Sequence, residues 1–235
     1  MTLGNASDAD ASPRNARAPR SLLYETILVL LITFVPLVFV PLVPALSGLA
    51  ALLALVFPII YLFAEKWARH RPWKDLGIKR HGFYADFRAN WRLFLLVVLV
   101  LQVIPVALFF VLPDWLSHVL GRIPAVNTLA VAIALIIVLA LREELVFRSL
   151  FQERFSWFIG NVPAIVFVSI VFSLSHLTMG ALLVVAVDLL FVFFDSVVYG
   201  LIFARSHNVL LAWFAHLSAD IVGLALLLAF SFAIT

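Results

Sequence analysis

The chain has 235 residues, of which 65% are hydrophobic and only 12% charged, and its mean hydropathy is +1.14. A water-soluble globule carries about 25% charged residues, so this chain lacks the polar atoms to cover itself, and wholesale disorder is excluded on the same ground. With no Cys there is no disulfide scaffold, and a net charge of +3 spread as described below speaks against a nucleic-acid partner. The composition predicts an all-α fold, a polytopic bundle of membrane helices.

The first 20 residues, MTLGNASDADASPRNARAPR, are small and polar and predict a disordered cytoplasmic tail. No small-residue cleavage site of the A-x-A kind follows the first apolar run, so no signal peptide is expected. A bilayer core of roughly 30 Å takes about 20 apolar residues per helix. Runs of that size occur at 22–43, 45–64, 93–113, 127–150, 162–179, 181–204 and 208–233, which predicts about seven spans, with six to eight compatible with the tight last joints. The chain divides into the tail (1–20), N-terminal transmembrane helices (21–126) and a second membrane unit (127–235).

Eleven of the 16 basic residues fall in two places, the tail (Arg14, Arg17, Arg20) and the stretch 65–92 (Lys66, Arg69, Arg71, Lys74, Lys79, Arg80, Arg88, Arg92). With seven spans and a cytoplasmic N-terminus, these and the turns carrying Arg154 and Arg205 all lie inside, and Arg122 alone lies outside. The positive-inside rule therefore predicts a multi-pass protein of the plasma (inner) membrane with its N-terminus cytoplasmic. Trp67, Trp73, Phe83, Tyr84, Phe87 and Trp91 are interleaved with the basic residues of the 65–92 loop. That composition suits either an amphipathic segment in the headgroup layer or an ordinary loop with aromatic anchors.

Ionisable side chains inside a span cost at least a few kcal/mol each, which makes them functional candidates. They are Arg142, Glu143, Glu144 and Arg148 on the fourth span, His176 on the fifth, Asp188 and Asp195 on the sixth, and His216 and Asp220 on the seventh. His70, His81, His118 and His207 fall in loops and read as solvated. Glu144 and Arg148 stand at i, i+4, the spacing of a helix ion pair. Glu143 has Leu139 and Phe147 at its i±4 positions, and adjacent residues point about 100° apart, so Glu143 and Glu144 are not expected to share a partner. Alone, His176 reads first as a packed histidine bonded to a backbone carbonyl, and His216–Asp220 as an internal hydrogen bond. A helix turning at Gly160–Pro163 would put Glu143 about 25 Å and His176 about 20 Å along their arms, at a similar depth. Glutamate, two histidines and aspartate could then share one pocket.

The ordered set Glu143-Glu144-x-x-x-Arg148, Phe172-x-x-x-His176 and His216-x-x-x-Asp220 resembles the three motifs of the CAAX-processing and bacteriocin-processing (CPBP, or Abi) intramembrane proteases, which include the type II CAAX prenyl endopeptidases. The resemblance covers about residues 127–225. It implies a helical endopeptidase in which Glu143 and His176 activate the attacking water, with Glu144, Arg148, His216 and Asp220 completing the site. His216 and Asp220 would bind a metal or stabilise the oxyanion. The family's last position is commonly Asn; an ionised Asp220 can only accept hydrogen bonds, which favours a divalent metal such as zinc held by Glu143, His176, His216 and Asp220. The substrate implied is a peptide or protein at the bilayer, such as a bacteriocin leader or a membrane-protein tail. Two other readings remain open. One is a proton-coupled transporter using Asp188 and Asp195, which otherwise read as partners of Arg142 or Arg205; the other is a non-catalytic scaffold or immunity protein.

Overall fold

The computed structural model describes residues 19–40, 43–79, 81–112, 114–122 and 128–234. Of the expected disordered tail only Pro19 and Arg20 lie among them, and of the expected 114–126 loop only 114–122. Among the described residues every regular element is a helix, without strands. In chain order they form α1 (Arg20–Phe39), α2 (Ser47–Leu55), α3 (Phe57–Ala68), α4 (Phe83–Leu95), α5 (Leu101–Leu108), α6 (Trp115–Arg122), α7 (Leu129–Glu144), α8 (Glu153–Ile159), α9 (Asn161–Ser175), α10 (Leu182–Ser206) and α11 (Val209–Ile234). A π-helical segment, Leu96–Val100, joins α4 to α5, and a second, Leu145–Gln152, joins α7 to α8.

Among the described residues five helical bodies are long and apolar enough to cross a membrane: Arg20–Phe39, Pro44–Ala68, Phe83–Leu108, Leu182–Ser206 and Val209–Phe230. The protein is therefore a multi-pass membrane protein. The other two expected spans exist as helices of different character. The fourth is the continuous body from α7 to α8, whose apolar run is interrupted at Arg142, Glu143 and Glu144. The fifth is α9, only 15 residues long. The third expected span begins earlier, at Phe83, because α4 runs into what reads in sequence as the end of a basic loop.

Local chemistry explains how polar groups survive in this bundle. Thr26 and Thr33, both fully buried, return their hydroxyls to the carbonyls of Leu22 and Val29 at 2.7 Å, one turn back. Between α2 and α3, Pro58 lacks the N–H that would reach the Ala54 carbonyl, and Arg142 fills the gap by donating to Ala54 and Leu55. On α11, Ala212, Ala215 and Ala219 are fully buried and pack with Tyr199, Ile202 and Phe203 of α10; small residues let membrane helices approach closely. A second core joins Phe147, Phe151 and Phe155 to Leu62, Ala164, Val168 and Phe172.

Arg154, expected in a water-facing turn, is instead fully buried within α8. It meets Glu65 at 3.0 Å and Tyr61 at 2.9 Å, and Glu65 also holds Arg69 at 3.0 Å and Arg71 at 3.1 Å. His207 is likewise not free in solvent: it ends α10 in the left-handed conformation, with Nδ1 3.4 Å from Glu153.

The stretch after α3 folds back over the bundle through Gly77, whose φ is +70° and whose carbonyl accepts the Val209 N–H at 2.9 Å. A Cβ at Gly77 would lie 2.7 Å from the Phe203 ring. Gly77→Ala is expected to lower stability by about 1–3 kcal/mol through overpacking and left-handed strain. Thermal unfolding in detergent, followed by circular dichroism, measures it.

Candidate active site

The site begins where α7 passes into the π-helical segment. Glu143 and Glu144 are the last residues of α7, and Val146 through Gln152 are all buried. A π segment displaces side chains relative to an α-helix and often marks a functional site. Here it follows the two carboxylates directly.

Glu144 has no exposed surface. Its Oε2 accepts from Arg148 Nε at 3.0 Å, and its Oε1 lies 2.9 Å from His216 Nδ1. Arg148, equally buried, donates on to Ser196 at 2.9 Å and Gln152 at 3.3 Å, and its guanidinium lies 5.7 Å over the Phe172 ring. Ser196 in turn donates to Ser169 at 3.1 Å, and Gln152 to the Gly200 carbonyl at 2.9 Å. The i, i+4 ion pair read from sequence is thus formed, inside a network that ties α7 to α9 and α10.

Glu143 points the other way, as its position on the helix requires. Its Oε1 is 3.9 Å from His176 Nε2 and its Oε2 is 3.8 Å from His216 Nε2. One expectation is corrected: the adjacent glutamates do share a partner, because an imidazole presents two nitrogens and His216 turns Nδ1 to Glu144 and Nε2 to Glu143. His176 stands directly after α9, whose start follows Gly160 at φ +82°. Its Nδ1 is 2.8 Å from the Phe172 carbonyl, which only accepts, so Nδ1 carries a hydrogen and Nε2 is the nitrogen turned to Glu143. Asp220 Oδ2 is 3.6 Å from His216 Nε2.

All four residues line one cavity of about 600 Å³. Part of its lining is apolar, with Leu101, Pro105 and Val106 from α5 and Phe109 directly after it. Asp188 and Asp195 line it as well. The cavity therefore joins a carboxylate and two imidazoles to an apolar slot within the helix bundle.

Residues 125–222 match the family described as Type II CAAX prenyl endopeptidase Rce1-like. That segment is a domain of this family. The match covers under half of the chain and includes Glu143, Glu144, Arg148, His176, His216 and Asp220. Neither a curated protein nor a solved structure matches the chain. The Rce1-like domain belongs to a family of CAAX-type intramembrane proteases, and such a family implies a protein substrate in the membrane.

The donor geometry of the Rce1-like domain bears on the expected metal. Zinc ligands surround one point at about 2 Å. Here Glu143 is wedged between the imidazoles and turns a different oxygen to each. Among the described residues no group of three or more His, Cys, Asp or Glu is gathered closely enough about one point to hold a metal ion as arranged.

Several partners were not legible in the sequence. His118, expected in a solvated loop, is half-buried on α6 and bonds Asp188 at 3.1 Å. Asp195 accepts from Gln102 at 3.2 Å. Arg142 turns to the α2 carbonyls described above. Tyr199 stacks on His216 with ring centroids 4.6 Å apart and planes 17° apart, while Phe172 meets the same imidazole edge-on at 5.9 Å. One signal was available for Tyr199: Asp188, Val192, Asp195, Ser196 and Tyr199 recur at helical spacing and mark one face of α10.

Proposed function

We propose that the chain is an intramembrane endopeptidase in which Glu143 acts as general base on a water that it shares with His176. The observation that carries this is the placement of Glu143 between His176 Nε2 at 3.9 Å and His216 Nε2 at 3.8 Å, on the wall of the cavity. Those separations exceed a direct hydrogen bond and suit a bridging water. Such a water donates one hydrogen to Glu143 and the other to the His176 lone pair, which leaves an oxygen lone pair for the scissile carbonyl carbon.

Attack transfers a proton to Glu143 and forms a tetrahedral oxyanion. His216 turns Nδ1 to Glu144 at 2.9 Å and Nε2 toward Glu143 and Asp220, at the mouth of the same water position, and a hydrogen carried on Nε2 donates to that oxyanion. Asp220 then orients and balances His216 rather than contacting the oxyanion itself. When the tetrahedral species collapses, the carbon–nitrogen bond breaks and the proton held by Glu143 passes to the leaving nitrogen. No step runs through a metal. The apolar lining at Leu101, Pro105, Val106 and Phe109 suits a substrate segment with bulky apolar or lipid-modified side chains.

The test is cleavage by the full chain in vesicles, using a farnesylated peptide with a CAAX terminus and its unmodified counterpart, with the products weighed by mass spectrometry. Cleavage of either is expected, and it should persist after treatment with 1,10-phenanthroline. Loss on chelation with recovery on adding zinc would overturn the metal-free mechanism. Proton-coupled uptake without cleavage would replace the whole reading with a carrier.

A further inference from the structure

One end of the bundle gathers the start of α1, the end of α3, the start of α4, the end of α8 and the joint between α10 and α11. Arg69 reaches Glu25 at 2.6 Å, Arg71 lies 5.6 Å over the Trp157 ring, and Asn208 donates to Asp86 at 2.9 Å. These contacts turn acidic side chains of this end inward. Glu25 and Glu65 are taken by Arg69, Arg71 and Arg154, Asp86 by Asn208, and Glu153 by His207 and Trp157.

Arg20 and Arg205 are exposed at this end, and four further cations cluster beside the aromatic residues of 66–92. Lys74, Arg88 and Arg92 are exposed and Lys66 is half-buried, and none of the four forms an ion pair among the described residues. Three of them lie against aromatic rings instead: Lys66 over Trp73 at 4.2 Å, Arg88 over Tyr84 at 5.9 Å and Arg92 over Trp91 at 5.5 Å. The rings stay open to the surroundings, with Trp67 66%, Tyr84 72% and Trp91 47% exposed. They sit at the ends of two membrane-crossing bodies, Pro44–Ala68 and Phe83–Leu108, where Trp and Tyr mark headgroup depth.

We infer that this girdle binds anionic phospholipid headgroups, with Lys66, Lys74, Arg88 and Arg92 as the phosphate-facing cations and Trp67, Trp73, Tyr84 and Trp91 as anchors in the acyl boundary. Charge complementarity selects the occupant: Glu25, Glu65, Asp86 and Glu153 are consumed within the bundle, so the four cations outnumber the one further carboxylate beside them, Asp75. The aromatic rings at span ends select a lipid over a soluble acidic protein. The proposal stands independently of peptide cleavage, since it uses no residue of the cavity.

The test uses the full chain reconstituted in phosphatidylcholine–phosphatidylglycerol vesicles in which one lipid at a time carries brominated acyl chains, with tryptophan fluorescence as the readout. Brominated phosphatidylglycerol is expected to quench more strongly than brominated phosphatidylcholine at equal mole fraction. Each cation at an anionic surface shifts partitioning by up to about fivefold. The difference should disappear in the K66Q/K74Q/R88Q/R92Q variant, checked for native helicity by circular dichroism, and shrink in 1 M salt, where the screening length is about 3 Å. Equal quenching by the two lipids in the unaltered chain would overturn the inference. A preference that persists in the folded variant would do the same, and so would equal quenching combined with salt-sensitive binding of polyglutamate, which would assign the patch to an acidic protein segment.

Discussion

Glu143→Gln should lower the rate of peptide cleavage by about 10²–10⁴ with little change in KM, because removing a general base costs that much while leaving substrate contacts in place. Glutamine keeps the shape of the side chain but its carbonyl oxygen cannot take the proton from water. Its amide N–H groups would face the lone pair of His176, so the bridging water would lose one of its two acceptors. The fold should be untouched. Glu143 is partly open to the cavity, with its side chain 19% exposed, and its two imidazole neighbours stand at 3.8 and 3.9 Å rather than at hydrogen-bonding distance. The comparison is the initial rate and the thermal midpoint of the same purified sample. A variant that cleaves at the unaltered rate would remove Glu143 from the mechanism, whereas one that loses its midpoint as well would show a structural role instead. His176→Ala should lose activity to a similar extent with its fold intact, because His176 follows α9 and its hydrogen bonds among the described residues go to local groups, the Phe172 carbonyl and Ser175.

The nearness of Glu143 to His176 was legible because it depends on local rules. A helix advances about 1.5 Å per residue and Gly160 is a residue able to turn the chain at φ +82°, so Glu143 and His176 could be placed at one level from sequence alone. The i, i+4 pairing of Glu144 with Arg148 follows from the same geometry. What escaped the sequence were the polar contacts between distant helices outside the set of Glu143, His176, His216 and Asp220. Arg154 reads as a turn residue until Glu65, far away in the chain, is seen to receive it. His118 reads as solvated until α6 brings it to Asp188. A charge in a sequence announces that it needs a partner or water, but which of the two it finds is fixed by helix packing. The apolar character that made the membrane assignment certain also hid Tyr199, since an aromatic residue in a hydrophobic helix carries no sign that its ring lies on a histidine. The span count was affected in the opposite direction. The helix that holds the chemistry is the one whose charges make it the poorest span, so the feature that locates the site also removes α7 from the helices that cross by length and composition.

Arg148→Met should destabilise the protein by about 3–5 kcal/mol, the cost of leaving a buried carboxylate without its cation. Both partners are fully buried and Arg148 also holds Ser196 and Gln152, so no water can replace the guanidinium without opening the contact between α7 and α10. Activity should fall too, by a different route from Glu143→Gln. Glu144 without Arg148 is drawn more tightly to His216 Nδ1, and the imidazole that faces Glu143 and Asp220 is then held by an unbalanced charge. Glu144→Gln should be the milder change, because its amide oxygen can still accept from His216 while the carboxylate charge is lost; the buried Arg148 is then the unpaired group. The double variant Glu144→Gln/Arg148→Met decides the matter. If the two side chains act as one buried pair, its loss of stability should be smaller than the sum of the single losses by about 0.5–3 kcal/mol, measured as thermal or denaturant unfolding in the same detergent. Additive losses would mean that Arg148 stabilises the bundle through Ser196 and Gln152 alone, and that the ion pair at the root of the site contributes nothing beyond filling space.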